Sequence, residues 1–207
     1  MSFLDYYRAK GHVFGECMTH SESDLMYINI PKNATSWTKP NLADFEWEFY
    51  NYHTDNLYHK TAMVVLRDPV ERWASGMAEY LYLYHRDWTT SSFTTELLDL
   101  IFDKIAFDDH TEKQVYFIEG LDLSRCVFFK FDEHYRENFS NFLAENGMPN
   151  NYRNYAKQHV SDNDAIRKQF KEIFTQALKN SKYLNQVEDY FRQDLKLIEQ
   201  TQFYGTR

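Results

Sequence analysis

Two nearly unbroken apolar runs stand out along the chain, Leu25 to Ile30 (LMYINI) and Thr61 to Leu66 (TAMVVL). Runs of this length predict strands buried on both faces, and the second is rich in β-branched residues. Cys126 to Phe131 (CVFFKF) reads as a third strand and Phe45 to Tyr52 (FEWEFYNY) as a fourth. From Pro69 to about Tyr84 the period changes, with Val70, Trp73, Ala74, Met77, Ala78 and Leu81 recurring at helical spacing. Thr94 to Ile105 and His110 to Ile118 read as two more helices. Tyr135 to Asn146 reads as a helix closed by Gly147. After a candidate N-cap at Ser161, Ile166, Phe170, Ile173, Phe174, Ala177 and Leu178 form one stripe, and Leu184, Val187, Phe191, Leu195 and Ile198 a second. Strands that alternate with helices predict an α/β layer fold with a mostly parallel sheet. Neither a repeat nor a linker interrupts the pattern, so one domain over residues 1–207 is expected.

Ligands of open α/β sheets sit at the carboxyl ends of the strands, and two strand ends here carry unusual chemistry. After Ile30 comes Pro31, then Lys32, Asn33, Ala34, Thr35, Ser36 and Trp37. A lysine and hydroxyls at a helix start outline a phosphate cradle. The glycines of a Walker loop are absent. Without a ligand, the same stretch is a plain strand-to-helix turn with a solvated lysine. Pro40 follows closely, so the first helix should be short or broken.

The second strand end is VVLRDPVERWASG, Val64 to Gly76. Asp68 is a good N-cap, Pro69 suits the first helical position, and Glu71 completes a capping-box pattern. Arg67 then stands at the strand end, and Ser75 leans back toward the helix start. The two can close on one phosphate. The plainer alternative makes Asp68 a cap and Arg72 half of a surface ion pair, and leaves Arg67 unexplained.

Composition narrows the choice. With 207 residues and 43% apolar content the chain can bury a full core. Aromatics reach 18%, enough to fill the core and line a ligand site. A net charge of −8 argues against a general nucleic-acid binder, so any anion site must be local. The two cysteines, Cys17 and Cys126, suit neither a disulfide framework nor a CxxC metal site. The first residues carry charge too early for a signal peptide, and no apolar window is long enough to span a membrane. A cytoplasmic protein is the expectation.

Together, PKNATSW resembles the 5′-phosphosulfate loop of sulfotransferases, and RDPVERWASG resembles their 3′-phosphate motif, including the spacing from Arg67 to Ser75. The resemblance implies a P-loop-like three-layer α/β fold with a central, mostly parallel sheet flanked by helices. It implies 3′-phosphoadenosine 5′-phosphosulfate as donor, no metal, and a small-molecule or carbohydrate acceptor. Lys32 would stabilise the leaving oxygen. Residues 33–36 would hold the 5′-phosphate, Arg67 and Ser75 the 3′-phosphate, and Trp37 either stacks on adenine or belongs to the core. Asp108 to Gln114 (DDHTEKQ) resembles a His-and-Gln stretch of the carbohydrate branch, while CVFFKFDEHYRENFSNFLAENG and YFRQDLKLIEQTQFYG resemble later parts of the family.

For the proton acceptor, FYNYH resembles a segment of heparan 2-O-type sulfotransferases and nominates His53. His59, Glu46 and Glu48 are the alternatives. Tyr80, Tyr82, Tyr84, His85, Arg86 and Trp88 would line the acceptor site, with Arg153 and Lys157 folding over the nucleotide. The rival readings are a nucleotide or small-molecule kinase, and a non-catalytic nucleotide-binding relative.

Overall fold

A computed structural model of the chain describes residues 14–149 and 165–206. Five strands form one sheet: β1 (Glu16–Thr19), β2 (Leu25–Ile28), β3 (Glu48–Asn51), β4 (Thr61–Leu66) and β5 (Cys126–Lys130). The helices, in chain order, are α1 (Thr35–Ala43), α2 (Pro69–Tyr84), α3 (Thr95–Lys104), α4 (Tyr135–Glu145), α5 (Ala165–Ala177), α6 (Ser181–Tyr190) and α7 (Arg192–Gln200). The candidate cap Ser161, with Arg153 and Lys157, lies outside the described residues.

The strand order is β3-β1-β2-β4-β5. β2, β4 and β5 run parallel, while β1 is antiparallel to both β2 and β3. The protein is therefore α/β with a mixed sheet, which corrects the expectation of a mostly parallel one. The cause is β1, too short to show a period in the sequence. It turns back into β2 through His20–Asp24, and a tight turn of that kind can only join antiparallel strands. The two reversals around β1 restore the direction of β3. The carboxyl ends of β2, β3, β4 and β5 thus share one edge of the sheet.

The chain divides into two compact units. The first holds the whole sheet with α1 and α4. One sheet face, carrying Met18, Leu25, Tyr27, Met63, Val65 and Phe129, packs on Trp37 and Leu42 of α1 and on Tyr135, Phe139 and Leu143 of α4. The alternate residues Met26, Ile28, Ala62, Val64 and Leu66 are also buried, as the unbroken apolar runs required.

The second unit holds α2, α3, α5, α6 and most of α7. Its core joins Trp73, Met77 and Leu81 to Phe102, Phe170, Phe174, Tyr183 and Val187. Phe102 and Tyr183 stack with centroids 4.2 Å apart. The helix expected over His110–Ile118 is only a 3₁₀ turn, Gln114–Ile118. Before it, the Thr111 hydroxyl accepts from the N–H groups of Phe107 and Asp108, at 2.8 and 3.0 Å. A side chain that captures backbone donors in this way competes with helix formation.

Among the described residues, no helix is long and apolar enough to cross a membrane.

Candidate functional site

The loop that leaves β2 bends sharply through two left-handed residues, Lys32 (φ 69°) and Ala34 (φ 62°). Such angles are strained in residues with a Cβ, and strain of this kind collects at functional loops. α1 then starts at Thr35 with Ala34 as an N-cap that has no capping side chain, and no acidic residue follows in its first turn. The N–H groups of Trp37 and Thr38 turn back to the Ala34 carbonyl, at 2.9 and 3.0 Å. The Thr35 and Ser36 N–H groups lie ahead of these first helical bonds. Thr35 is half-buried and Ser36 exposed. This helix start carries the positive end of a dipole with no carboxylate of its own on it.

Two sequence-nominated residues have different places. Asn33 is fully buried, and its Nδ2 donates to the Val65 carbonyl (2.7 Å) and to Gln114 Oε1 (2.6 Å). Its side-chain amide is turned toward β4 and Gln114. Trp37 is 6% exposed and packs edge-on against Tyr135 and Phe139, so core packing, not adenine stacking, accounts for it. α1 is short but unbroken, with Pro40 inside it. The Thr38 hydroxyl shares a 2.7 Å bond with Tyr135.

Arg67 follows β4, the strand next to β2. Its Nη1 donates to the Lys32 carbonyl at 3.2 Å, and its guanidinium lies 4.9 Å from the Phe131 ring centre. Lys32 and Arg67, nominated from separate motifs, are therefore joined. Gln114, not nominated individually, binds both backbone groups of Arg67: its Oε1 accepts from the Arg67 N–H (3.0 Å) and its Nε2 donates to the Arg67 carbonyl (2.9 Å).

In the second unit, the helix after β4 starts as the sequence implies. Pro69 occupies the first turn, and Asp68 Oδ1 accepts from the Glu71 N–H at 2.8 Å. Ser75 is half-buried on α2. The next residue, Gly76, has a steric reason: a Cβ there would lie 2.0 Å from the His110 carbonyl oxygen. Arg72 is not in a surface pair. It is fully buried and donates to the carbonyls of Glu112 and Asp109. His110 Nδ1 lies 2.9 Å from Asp108 and 3.0 Å from Asp109. Burial opposes its charge, but the bonds to Asp108 and Asp109 prevail and push its pKa up to about 9. The three side chains form a turn closed on itself.

The sheet's direction sorts the proton acceptors. His53 follows β3 at the carboxyl edge, on the same side as Lys32 and Arg67. His59 precedes β4, Glu46 precedes β3 and Glu48 opens it, so all three belong to the opposite edge. His53 Nδ1 bonds the Tyr58 hydroxyl at 2.6 Å and its ring packs on Tyr52, with centroids 4.1 Å apart. Its Nε2 is buried, and Gly15 (φ 88°) admits the ring only because it lacks a Cβ, which would sit 2.4 Å from the imidazole Cδ2.

Of the aromatics nominated for an acceptor, Tyr82 lies between two guanidinium groups, Arg86 at 3.9 Å and Arg167 at 3.7 Å from its ring centre. Tyr80 packs on Tyr84, His85 and Phe107, and His85 packs on Trp88. Tyr84 is the most open, at 63% exposure.

Comparison with family models, with curated proteins and with solved structures finds no match for this chain.

Proposed function

We propose that this protein is a sulfotransferase that moves a sulfuryl group from 3′-phosphoadenosine 5′-phosphosulfate to a hydroxyl or amine of a small-molecule or carbohydrate acceptor. One observation carries the reading: Lys32 and Arg67, drawn from two distant phosphate-type motifs, meet on adjacent strand ends through a 3.2 Å bond.

The residues fit an anionic donor. The start of α1 has no acidic cap, so its first-turn N–H groups, with the Thr35 and Ser36 hydroxyls, suit the 5′-phosphate. The start of α2 already has the Asp68 carboxylate on it. A phosphate at that strand end therefore depends on the Arg67 guanidinium. Phosphosulfate would supply an activated sulfuryl group. The acceptor oxygen or nitrogen attacks sulfur as the bond from sulfur to the 5′-phosphate oxygen breaks. The acceptor proton goes to a base, and adenosine 3′,5′-bisphosphate leaves. Lys32 neutralises charge that grows on the leaving oxygen, which lowers the barrier because the charge is largest in the transition state.

His53 is the base in this reading. Tyr58 orients the ring through Nδ1, which leaves Nε2 as the nitrogen to take the proton. The burial of Nε2 also favours a second reading, a nucleotide binder that performs no transfer.

Calorimetry with adenosine 3′,5′-bisphosphate and with AMP tests the donor site. The bisphosphate should bind well and AMP poorly, and Arg67→Ala should cost about 1.5–3 kcal/mol of the bisphosphate's affinity. Equal affinity for the two nucleotides would refute the site. A sulfate-transfer assay then separates enzyme from binder. His53→Ala should lower kcat roughly 10²- to 10⁴-fold with nucleotide affinity intact.

A further inference from the structure

We propose that Gln114 is a positioning residue that ties the two phosphate-type strand ends into one rigid element. The inference rests on the donor site proposed above. Gln114 is fully buried, and its side-chain amide meets the Arg67 backbone as a neighbouring strand would, with one bond to N–H (3.0 Å) and one from Nε2 to C=O (2.9 Å). β4 has ended at Leu66, so this side chain extends the pairing by one residue. The same Oε1 accepts from Asn33 Nδ2 at 2.6 Å, and that nitrogen also reaches the Val65 carbonyl at 2.7 Å. Asn33 sits between the two strained residues Lys32 and Ala34.

Two left-handed non-glycine residues hold their angles only if something over-determines them. The Asn33–Gln114 bond is that constraint, and its other end is Arg67. The guanidinium then closes the circuit on the Lys32 carbonyl. Gln114 would touch neither donor nor acceptor. It would set the distance between the cation at the 5′ side and the cation at the 3′ side, and so the nucleotide's selectivity for a second phosphate.

The test uses the full chain and the variants Gln114→Ala, Gln114→Glu and Arg67→Ala. Gln114→Glu keeps both acceptor bonds and loses the donor to the Arg67 carbonyl. Cooperative melting of each variant comes first. Hydrogen exchange without ligand then reads the tie directly. In Gln114→Ala, the hydrogen-bonded amides of Asn33, Trp37, Thr38 and Arg67 should exchange at least about tenfold faster while residues 61–65 keep their protection, and Gln114→Glu should fall between. Faster exchange throughout β4, or at Arg67 without Asn33, Trp37 and Thr38, would overturn the tie. Binding reads its consequence. The preference for adenosine 3′,5′-bisphosphate over AMP should drop about tenfold in Gln114→Ala, and the double variant with Arg67→Ala should be no less selective than Arg67→Ala alone. An unchanged preference, or additive losses, would overturn the positioning role. A wild-type chain that does not discriminate the two nucleotides refutes the donor site itself, and the exchange result still decides the tie.

Discussion

The exits from β2 and β4 end in the same device, a helix start at the carboxyl edge of a strand, yet they are built in opposite ways. After β4, local chemistry suffices. Asp68 caps the helix, Pro69 presets its first turn, and the apolar stripe of α2 runs clean to Leu81. After β2, local chemistry works against the structure. Lys32 and Ala34 are left-handed, α1 has no side-chain cap, and Pro40 lies inside a helix of nine residues. Long-range bonds compensate, among them Asn33 to Val65 and Gln114, Arg67 to the Lys32 carbonyl, and Thr38 to Tyr135. A helix start capped by its own carboxylate has little left for an anion. One held in place from behind keeps its donors for a ligand. In the proposed donor site the well-capped exit therefore depends on a side chain, Arg67, and the poorly capped one offers backbone.

The largest effect that separates the exits is on turnover. Lys32→Ala should lower kcat about 10²- to 10³-fold with a smaller change in nucleotide affinity. If KM alone rises, Lys32 anchors the donor and both exits merely bind. Next is Gly76→Ala beyond β4, where the new methyl group meets the His110 carbonyl. Urea titration should give a loss of about 3 kcal/mol. A near-wild-type midpoint would mean that the 108–111 turn can shift away from α2.

A pH effect follows from the same turn. The bonds to Asp108 and Asp109 hold the His110 pKa up at about 9, above the 6.5 of a free imidazole, so protonation favours the folded state. Its contribution is complete below about pH 6.5 and is lost as pH rises through 9. Unfolding midpoints measured across that window should fall in the wild type and flatten in His110→Asn. The smallest pair addresses the comparison head-on. Asp68→Ala should cost about 1 kcal/mol. Ala34→Gly should instead stabilise by a few tenths to about 1 kcal/mol, since glycine relieves the left-handed angle but loses more freedom on folding. Destabilisation by Ala34→Gly would show that the β2 exit is less strained than its angles imply.

Much of this was legible in the sequence where the signal is local. β4 and α2 have the boundaries that their apolar patterns predict, because period and capping act within a few residues. The meeting of Lys32 and Arg67 was legible as two motifs, but not as a bond between them. The short strand β1 left no period to read, so the mixed sheet stayed hidden, and with it the reason that His53 shares an edge with Arg67 while His59 does not.

The sequence by itself determined that the segments of β2 and β4 become buried strands, where α2 begins, and which residue types stand at the strand ends. Tertiary structure alone decided that Asn33 faces inward, that Trp37 belongs to the core, that Arg72 is buried, and that Gln114 joins the two loops. The physical reason is range. Periodicity and capping are interactions between near neighbours in the chain. A buried amide finds its partners only when segments far apart are packed together, and the cost of leaving it unpaired then fixes where it points.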